Sequence, residues 1–287
     1  MYLCVMNTIC HLTQYALQEL KDSYPASEIR SICRIIYMDV LRFTNIDIHL
    51  RKNEILEKSF ANKFMEIVAL LKSGHPIQYV LGETEFAGLR FEVDASTLIP
   101  RPETGELVRW VDGCLDAGRK VLDIGTGSGC IAVALAHLHP DCRISGVDVS
   151  AGAIAVASRN AGRNGVEVEW RTGDILRFEQ ERWDSYDVLV SNPPYVRESE
   201  RADMEERVLR FEPSGALFVP DEDPLLFYRR ICEFGREHLN RRGLLFFEIN
   251  EALGAETLQL MERYGYANLE LRQDFCGKDR MVKAEFL

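Results

Sequence analysis

Asn192, Pro193, Pro194 and Tyr195 follow an apolar run in the stretch VLVSNPPYV, residues 188–196. Two consecutive prolines remove two backbone donors and fix two φ angles, so a strand ends there. They also hold the Asn192 carboxamide stiffly at the strand's end. The Asn192 side-chain oxygen and the Pro193 carbonyl together offer two acceptors. Such a pair suits a planar nitrogen that carries two N–H groups. The lone pair of an amide or exocyclic amine is delocalised and weakly nucleophilic. Gripping both N–H groups fixes the nitrogen and favours its pyramidal form, which is what an attack on carbon requires. Tyr195 can cover the planar group by stacking. The plainer reading of the same residues is a rigid strand terminator.

A second group of residues points to a nucleoside-bearing ligand. Gly125, Thr126, Gly127, Ser128 and Gly129 stand between the apolar runs KVLDI and CIAVALAHL. Glycines at a strand-to-helix turn let the backbone approach a ligand and leave helix N–H groups facing it. Asp148 ends the next strand, about twenty residues on, where an acid can accept both hydroxyls of a ribose. Ser150 is at hand to cap the following helix, which leaves Asp148 free of that duty. Asp174 ends a further strand, where it can accept from an adenine amino group while Ile175 packs the ring; a turn aspartate is the plainer reading. A ribose–adenine pocket fits either a nicotinamide dinucleotide or S-adenosylmethionine. Asn192 and Pro193 favour the second, because hydride transfer has no use for two acceptors on an amino nitrogen.

The elements that must carry these residues read as an α/β fold. Strands are expected at KVLDIG, RISGVDVS, VEVEW, YDVLVS, GLLFFEIN, ANLELRQ and RMVKAEFL. Helices fall between them, near residues 130–138, 150–161, 223–239 and 254–264. Strands alternating with helices predict a doubly wound sheet, and the short connection between the last two strands predicts one antiparallel member. TEFAGLRFEVD, with Gly88, predicts a hairpin. Ahead of it, the spacing of apolar residues predicts helices at 11–20 and 28–43. A third helix carries Leu56, Phe60, Phe64, Ile67 and Leu71; Asn53 is its expected cap, and Gly74 and Pro76 end it. IPRPET (99–104) reads either as a rigid connector or as a segment that walls the substrate cleft or positions the donor's methionine end; Phe211-Glu212-Pro213 reads as a loop near the site, with no chemistry assigned.

The 287 residues, 46% of them hydrophobic, suit one large domain or two smaller ones. The formal charge of −11 is uneven: residues 1–82 carry nine basic and eight acidic groups, and residues 83–287 carry 25 basic and 37 acidic. An acidic half of this kind is a poor match for polyanionic nucleic acid as the main partner. The eight cysteines form no C-x-x-C pair, no histidine stands at metal-ligand spacing with another histidine or cysteine, and most cysteines lie in apolar runs. They read as reduced core thiols of a cytoplasmic protein without a metal. The opening residues lack the basic leader of a signal peptide, and no apolar run reaches membrane-spanning length.

In the order HPIQYVLGETEFAGLRFEVDASTLIPRPETGELV, DIGTGSGCIA, SNPPYV, FEPSGAL and DFCGKDRMV, the chain resembles the peptide chain release factor N5-glutamine methyltransferases, the HemK/PrmC family of class I S-adenosylmethionine-dependent methyltransferases. The resemblance spans nearly the whole length. The asparagine motif by itself is shared with DNA adenine and ribosomal RNA guanine methyltransferases; its combination with LIPRPETG is more specific. What the resemblance implies is a Rossmann-like seven-stranded sheet with an antiparallel last strand, preceded by a small N-terminal helical bundle and a β-hairpin linker. The corresponding spans are a helical substrate-recognition domain at 1–76, the linker at 77–100 and a catalytic domain at 101–287. It also implies a donor held by Gly125, Thr126, Gly127, Ser128, Gly129, Asp148, Asp174, Ile175 and Asn192, with S-adenosylhomocysteine as product. Asn192 and Pro193 would then hold the glutamine amide of a Gly-Gly-Gln loop, and Pro194 and Tyr195 would complete its slot. The implied partners are class I release factors met by a monomer, with no stable nucleic acid and no membrane. Gly105 departs from an acid common in the family, and Ile175 from an aromatic. Two alternatives stay open: a nucleic-acid amino methyltransferase, and a non-catalytic protein that binds the donor.

Overall fold

A computed structural model describes residues 7–287; Cys4 and the other opening residues read above lie outside the described residues. The chain divides into two compact units. The first comprises residues up to Gly82 together with Glu206–Phe211. It contains α1 (Ile9–Glu19), α2 (Ala26–Leu41), α3 (Asn45–Leu50), α4 (Lys58–Lys72) and α5 (Ile77–Leu81). The apolar stripes of α1, α2 and α4 close on a core that includes Leu12, Ile29, Ile36 and Phe64. Tyr37 is buried there, its ring stacked 5.5 Å from Phe64 and its hydroxyl donating to the Ile9 carbonyl. Within this unit, Arg207 pairs with Glu28 at 3.2 Å and Phe211 packs on His75. Asn53 does not cap α4, contrary to expectation. Residues 51–54 form a turn closed by Glu54 N–H on the Arg51 carbonyl, and the helix begins only after Glu57.

The second unit runs from Glu83 to the C-terminus, less the short helix already counted. In chain order it contains β1 (Glu83–Phe86), β2 (Leu89–Glu92), α6 (Pro102–Asp112), β3 (Lys120–Ile124), α7 (Cys130–Leu138), β4 (Arg143–Asp148), α8 (Ala151–Asn164), β5 (Glu169–Thr172) and β6 (Tyr186–Ser191). There follow β7 (Val196–Arg197), α9 (Glu206–Phe211, of the first unit), β8 (Phe218–Val219), α10 (Leu226–His238), β9 (Leu239–Glu248), α11 (Gly254–Arg263), β10 (Tyr266–Gln273) and β11 (Asp279–Phe286). Seven strands form one sheet in the order β10-β11-β9-β6-β3-β4-β5. Only the last, β11, runs against its neighbours, as expected for a Rossmann-like methyltransferase sheet.

Helices cover both faces, which is why the central strands read as continuous apolar runs. Val121, Val188 and Phe246 enter one core with α6 and α7; Leu122, Leu189 and Phe247 enter the other with α10 and α11. The strand expected at VEVEW starts later, at Glu169, because α8 runs on to Asn164 and stops at Gly165 with φ 66°. The hairpin turns on Ala87 and Gly88, both at positive φ, the geometry of a two-residue loop. It lies in the second unit. Asn160 and Asn164 of α8 bond to β2 at Glu92 and Arg90.

All cysteines among the described residues are free. Cys33, Cys130 and Cys232 are core thiols as expected, but Cys10 and Cys276 face solvent, since apolar neighbours in sequence do not fix which face a residue takes. No helix among the described residues is long and apolar enough to cross a membrane.

Candidate functional site

The glycine turn joins β3 to α7. Gly125, Gly127 and Gly129 all adopt positive φ, at 73°, 55° and 79°. A Cβ added at Gly125 or Gly127 would meet nothing within 4 Å, so the backbone there faces open space. At Gly129 the reason for glycine differs. A Cβ would come within 2.9 Å of Ala157 and of the Trp170 indole, and one at Gly146 would collide with the same indole. Below the turn lies Asp123, fully buried. Its Oδ2 accepts from the Thr126 hydroxyl at 2.5 Å and from Ala132 N–H at 3.3 Å, while its Oδ1 has no partner among the described residues. Burial pushes this carboxyl up to about 7, against the pull of those two donors.

Asp148 ends β4 with its carboxylate turned to the same place. Its Oδ2 accepts from Gly127 N–H and its Oδ1 from Ser150 N–H, both at 2.9 Å. Burial raises its pKa, opposed by these N–H groups. Ser150 caps α8 through Ala153 N–H, so Asp148 is not the cap. Asp174 does cap, accepting from Leu176 N–H at 2.9 Å. Val149, which sequence reasoning passed over, is an exposed apolar side chain on the wall beside Asp148.

Asn192 follows β6, the strand next to β3. Its Nδ2 donates to the Thr104 hydroxyl at 3.1 Å, and Thr104 donates to Glu248 Oε2 at 2.7 Å. The Tyr195 hydroxyl donates to Glu248 Oε1 at 3.2 Å. Glu248 is 1% exposed at the end of β9. Burial raises its carboxyl; the Thr104 and Tyr195 hydroxyls and the Arg280 guanidinium pull it back. Among the described residues nothing donates to Asn192 Oδ1 or to the Pro193 carbonyl.

One cleft of about 450 Å³ is lined by Gly125, Thr126, Gly127, Ser128, Asp148, Asp174, Ile175, Asn192, Pro193 and Pro194. That volume lies within the usual range of small-molecule sites, and a few polar groups converge in it. Two expected residues stand outside its lining. Gly129 is packed under Ala157 and Trp170, and Tyr195 packs on the core with its hydroxyl taken by Glu248. IPRPET and the Phe211-Glu212-Pro213 loop turn out to be joined: Arg101 donates to Glu212 Oε1 at 2.7 Å, and Ile99 N–H donates to Oε2. This pair ties the 97–101 segment to the 213–216 segment, and both line the cleft. Glu248 was missed as a site residue, and Thr104 and Glu212 were read only as parts of segments near the cleft. The available signal was a carboxylate closing the apolar run GLLFFE, where an acid is rarely buried without a task.

Away from the cleft, His139, Asp141 and Cys142 gather ligand-type atoms within 4.8 Å of one another. The expectation that no histidine lies at ligand spacing from a cysteine missed this pair, three residues apart. His139 Nε2 is bonded to Asp112 at 2.8 Å, and Cys142 Sγ donates to the Asp116 carbonyl.

Comparison with known proteins places this arrangement in context. Residues 107–214 match the methyltransferase small domain, and residues 11–82 match the PrmC N-terminal domain. The chain is 42% identical over 273 residues to the release factor glutamine methyltransferase of Bacteroides thetaiotaomicron, covering 95% of this chain and 98% of that one. It is likewise 42% identical to that of Flavobacterium psychrophilum, covering 96% and 97%. Among solved structures, a methyltransferase of Pyrococcus furiosus aligns with a TM-score of 0.51 at 19% identity over 80% of this chain and 98% of that one. A T. thermophilus 16S rRNA methyltransferase, in complex with AdoMet and guanosine, aligns with a TM-score of 0.51 at 16% identity over 71% and 50%. At these identities the likeness is one of fold.

Proposed function

The chain belongs to the release factor glutamine methyltransferases, and from that premise we propose how its cleft works. The protein methylates a release factor glutamine with S-adenosylmethionine as donor. When bound, the donor supplies a methyl group on a positively charged sulfur, an electrophile that needs a nucleophile in line with it. The chain's part is to hold both reactants. Gly125 and Gly127 keep the turn bare so that backbone can lie against the donor. The Asp148 carboxylate accepts from ribose hydroxyls, and Val149, Asp174 and Ile175 bound the adenine side.

Asn192 and Pro193 hold the target. The carboxamide oxygen of one and the carbonyl of the other accept the two N–H groups of the glutamine side chain. Acceptors placed for a pyramidal nitrogen fit it better than a planar one and so lower the barrier. In-line placement contributes much of the remainder. No strong base is required, because the amide nitrogen is cationic when first alkylated and gives up its extra proton readily to water. The observation that carries the reading is the pair of unengaged acceptors, Asn192 Oδ1 and the Pro193 carbonyl, in the same cleft as Asp148 and the glycine turn.

In its finer form the proposal takes the substrate as the glutamine of a Gly-Gly-Gln loop in class I release factors. It assigns docking of the factor to the helical unit and has the protein act as a cytoplasmic monomer without a metal. The test is incubation with methyl-labelled donor and, separately, release factor, DNA and RNA. Label is expected on the release factor glutamine, located by peptide mass. Label in nucleic acid alone would overturn the assignment.

A further inference from the structure

Two hydroxyl groups end on Glu248, and this fixes the direction of each proton between that carboxylate and the cleft. Tyr195 donates to one oxygen at 3.2 Å and Thr104 to the other at 2.7 Å. Thr104 has a single hydroxyl proton and gives it to Glu248. Towards Asn192 its oxygen therefore shows only lone pairs. Asn192 meets it with the NH2 end, at 3.1 Å, and the carboxamide oxygen is left over. Thr104 and Glu248 are 2% and 1% exposed, so no solvent competes for these bonds.

We propose that Glu248, acting through Thr104, is the positioning group that turns the oxygen end of Asn192 into the cleft and so makes the site choose a glutamine over a glutamate side chain. The proposal rests on the function assigned above. A glutamine amide brings two donors to the two acceptors. A glutamate carboxylate brings only acceptors and meets Asn192 Oδ1 and the Pro193 carbonyl with repulsion. Were the carboxamide reversed, its NH2 group would face the cleft and the preference would move towards the acid.

Thr104→Val keeps the shape of the side chain and removes the acceptor; Thr104→Ser keeps the acceptor. Calorimetry measures binding of the release factor, and of the same factor with its glutamine changed to glutamate, both with S-adenosylhomocysteine present. Wild type and T104S are expected to prefer glutamine. In T104V that preference should fall by about tenfold or more, with S-adenosylhomocysteine affinity within about threefold of wild type. An unchanged preference in T104V overturns the proposal. A wild type that neither binds nor methylates the release factor defeats the functional reading instead. Orientation is then read without substrate, from the Asn192 side-chain NH2 signal in wild-type NMR spectra. Slow exchange with water supports donation to Thr104, and fast exchange overturns it. The same measurement decides the matter if T104V fails to fold.

Discussion

Two asparagines sit close to the glycine turn and are used in opposite ways. Asn160, on α8, is fully buried and closed. Its oxygen accepts from Glu92 N–H at 2.6 Å, and its NH2 donates to the Glu92 carbonyl at 3.0 Å and the Ser128 carbonyl at 2.8 Å. It pins the hairpin to the turn and keeps nothing in reserve. Asn192 is half-buried and open: its NH2 is held by Thr104, and its oxygen accepts from no described residue. A satisfied carboxamide is structural glue, because every buried polar group it touches would otherwise be stranded. A carboxamide fixed at one end and free at the other is a binding group already oriented. Side-chain type does not separate the two; the ledger of donors and acceptors does.

The largest effect should come from opening the contrast at Asn192. Asn192→Ala is expected to lower kcat by ~10³-fold or more, with donor affinity and melting temperature near wild type. Turnover near wild type would break the comparison. The next concerns Asp123, which stands between the two cases, with one oxygen engaged and one orphaned. Its folded pKa, about 7, lies above the ordinary 3.8. The folded state therefore binds the extra proton, and this group's contribution to stability is full below pH 4 and lost as pH rises to about 7. Asp123→Asn removes that loss, so the variant should gain on wild type across this window by on the order of 4 kcal/mol. Parallel pH profiles in denaturant titrations would refute the assignment.

Asn160→Ala strands three backbone groups and should cost ~2–3 kcal/mol of stability, measured by urea unfolding, while rate per folded molecule changes little. If instead it stops turnover in folded protein, Asn160 is more than glue. Smallest is Asp148→Ala, expected to weaken donor binding by ~10–30-fold, or about 2 kcal/mol at most, read by calorimetry. A lost rate at saturating donor with unchanged affinity would contradict the ribose role.

How much of this could be read from sequence follows from the range of each interaction. The proline-stiffened strand end, the glycine turn and the alternating strands and helices are written in neighbouring residues, and they appear where expected. So does Ser150 as the cap that frees Asp148. Tyr195 was expected to cover the substrate by stacking, but nothing near it in sequence announced that its hydroxyl bonds to Glu248, 53 residues away. Thr104 lies 88 residues from Asn192 and 144 from Glu248, and the Arg101–Glu212 pair spans 111. No local pattern encodes such partnerships; they exist only once the sheet has brought strand ends to one rim. Asn53 failed as a cap for the reverse reason. It has a capping side chain, but the chain around it was already committed to a turn.

Trp170 lies over two positions that carry no side chain, Gly129 and Gly146, and fills the room a Cβ at either would need. Three residues on three separate elements thus share one volume. Bulk gained at Gly146 has to be surrendered by the indole, so an alanine that is ruinous there beside tryptophan becomes acceptable beside something smaller, whereas Gly129 is held to glycine by Ala157 and its positive φ as well. Drift at Gly146 and Trp170 is a joint event rather than two independent ones, and a library that varies Gly146 alone will record only failures.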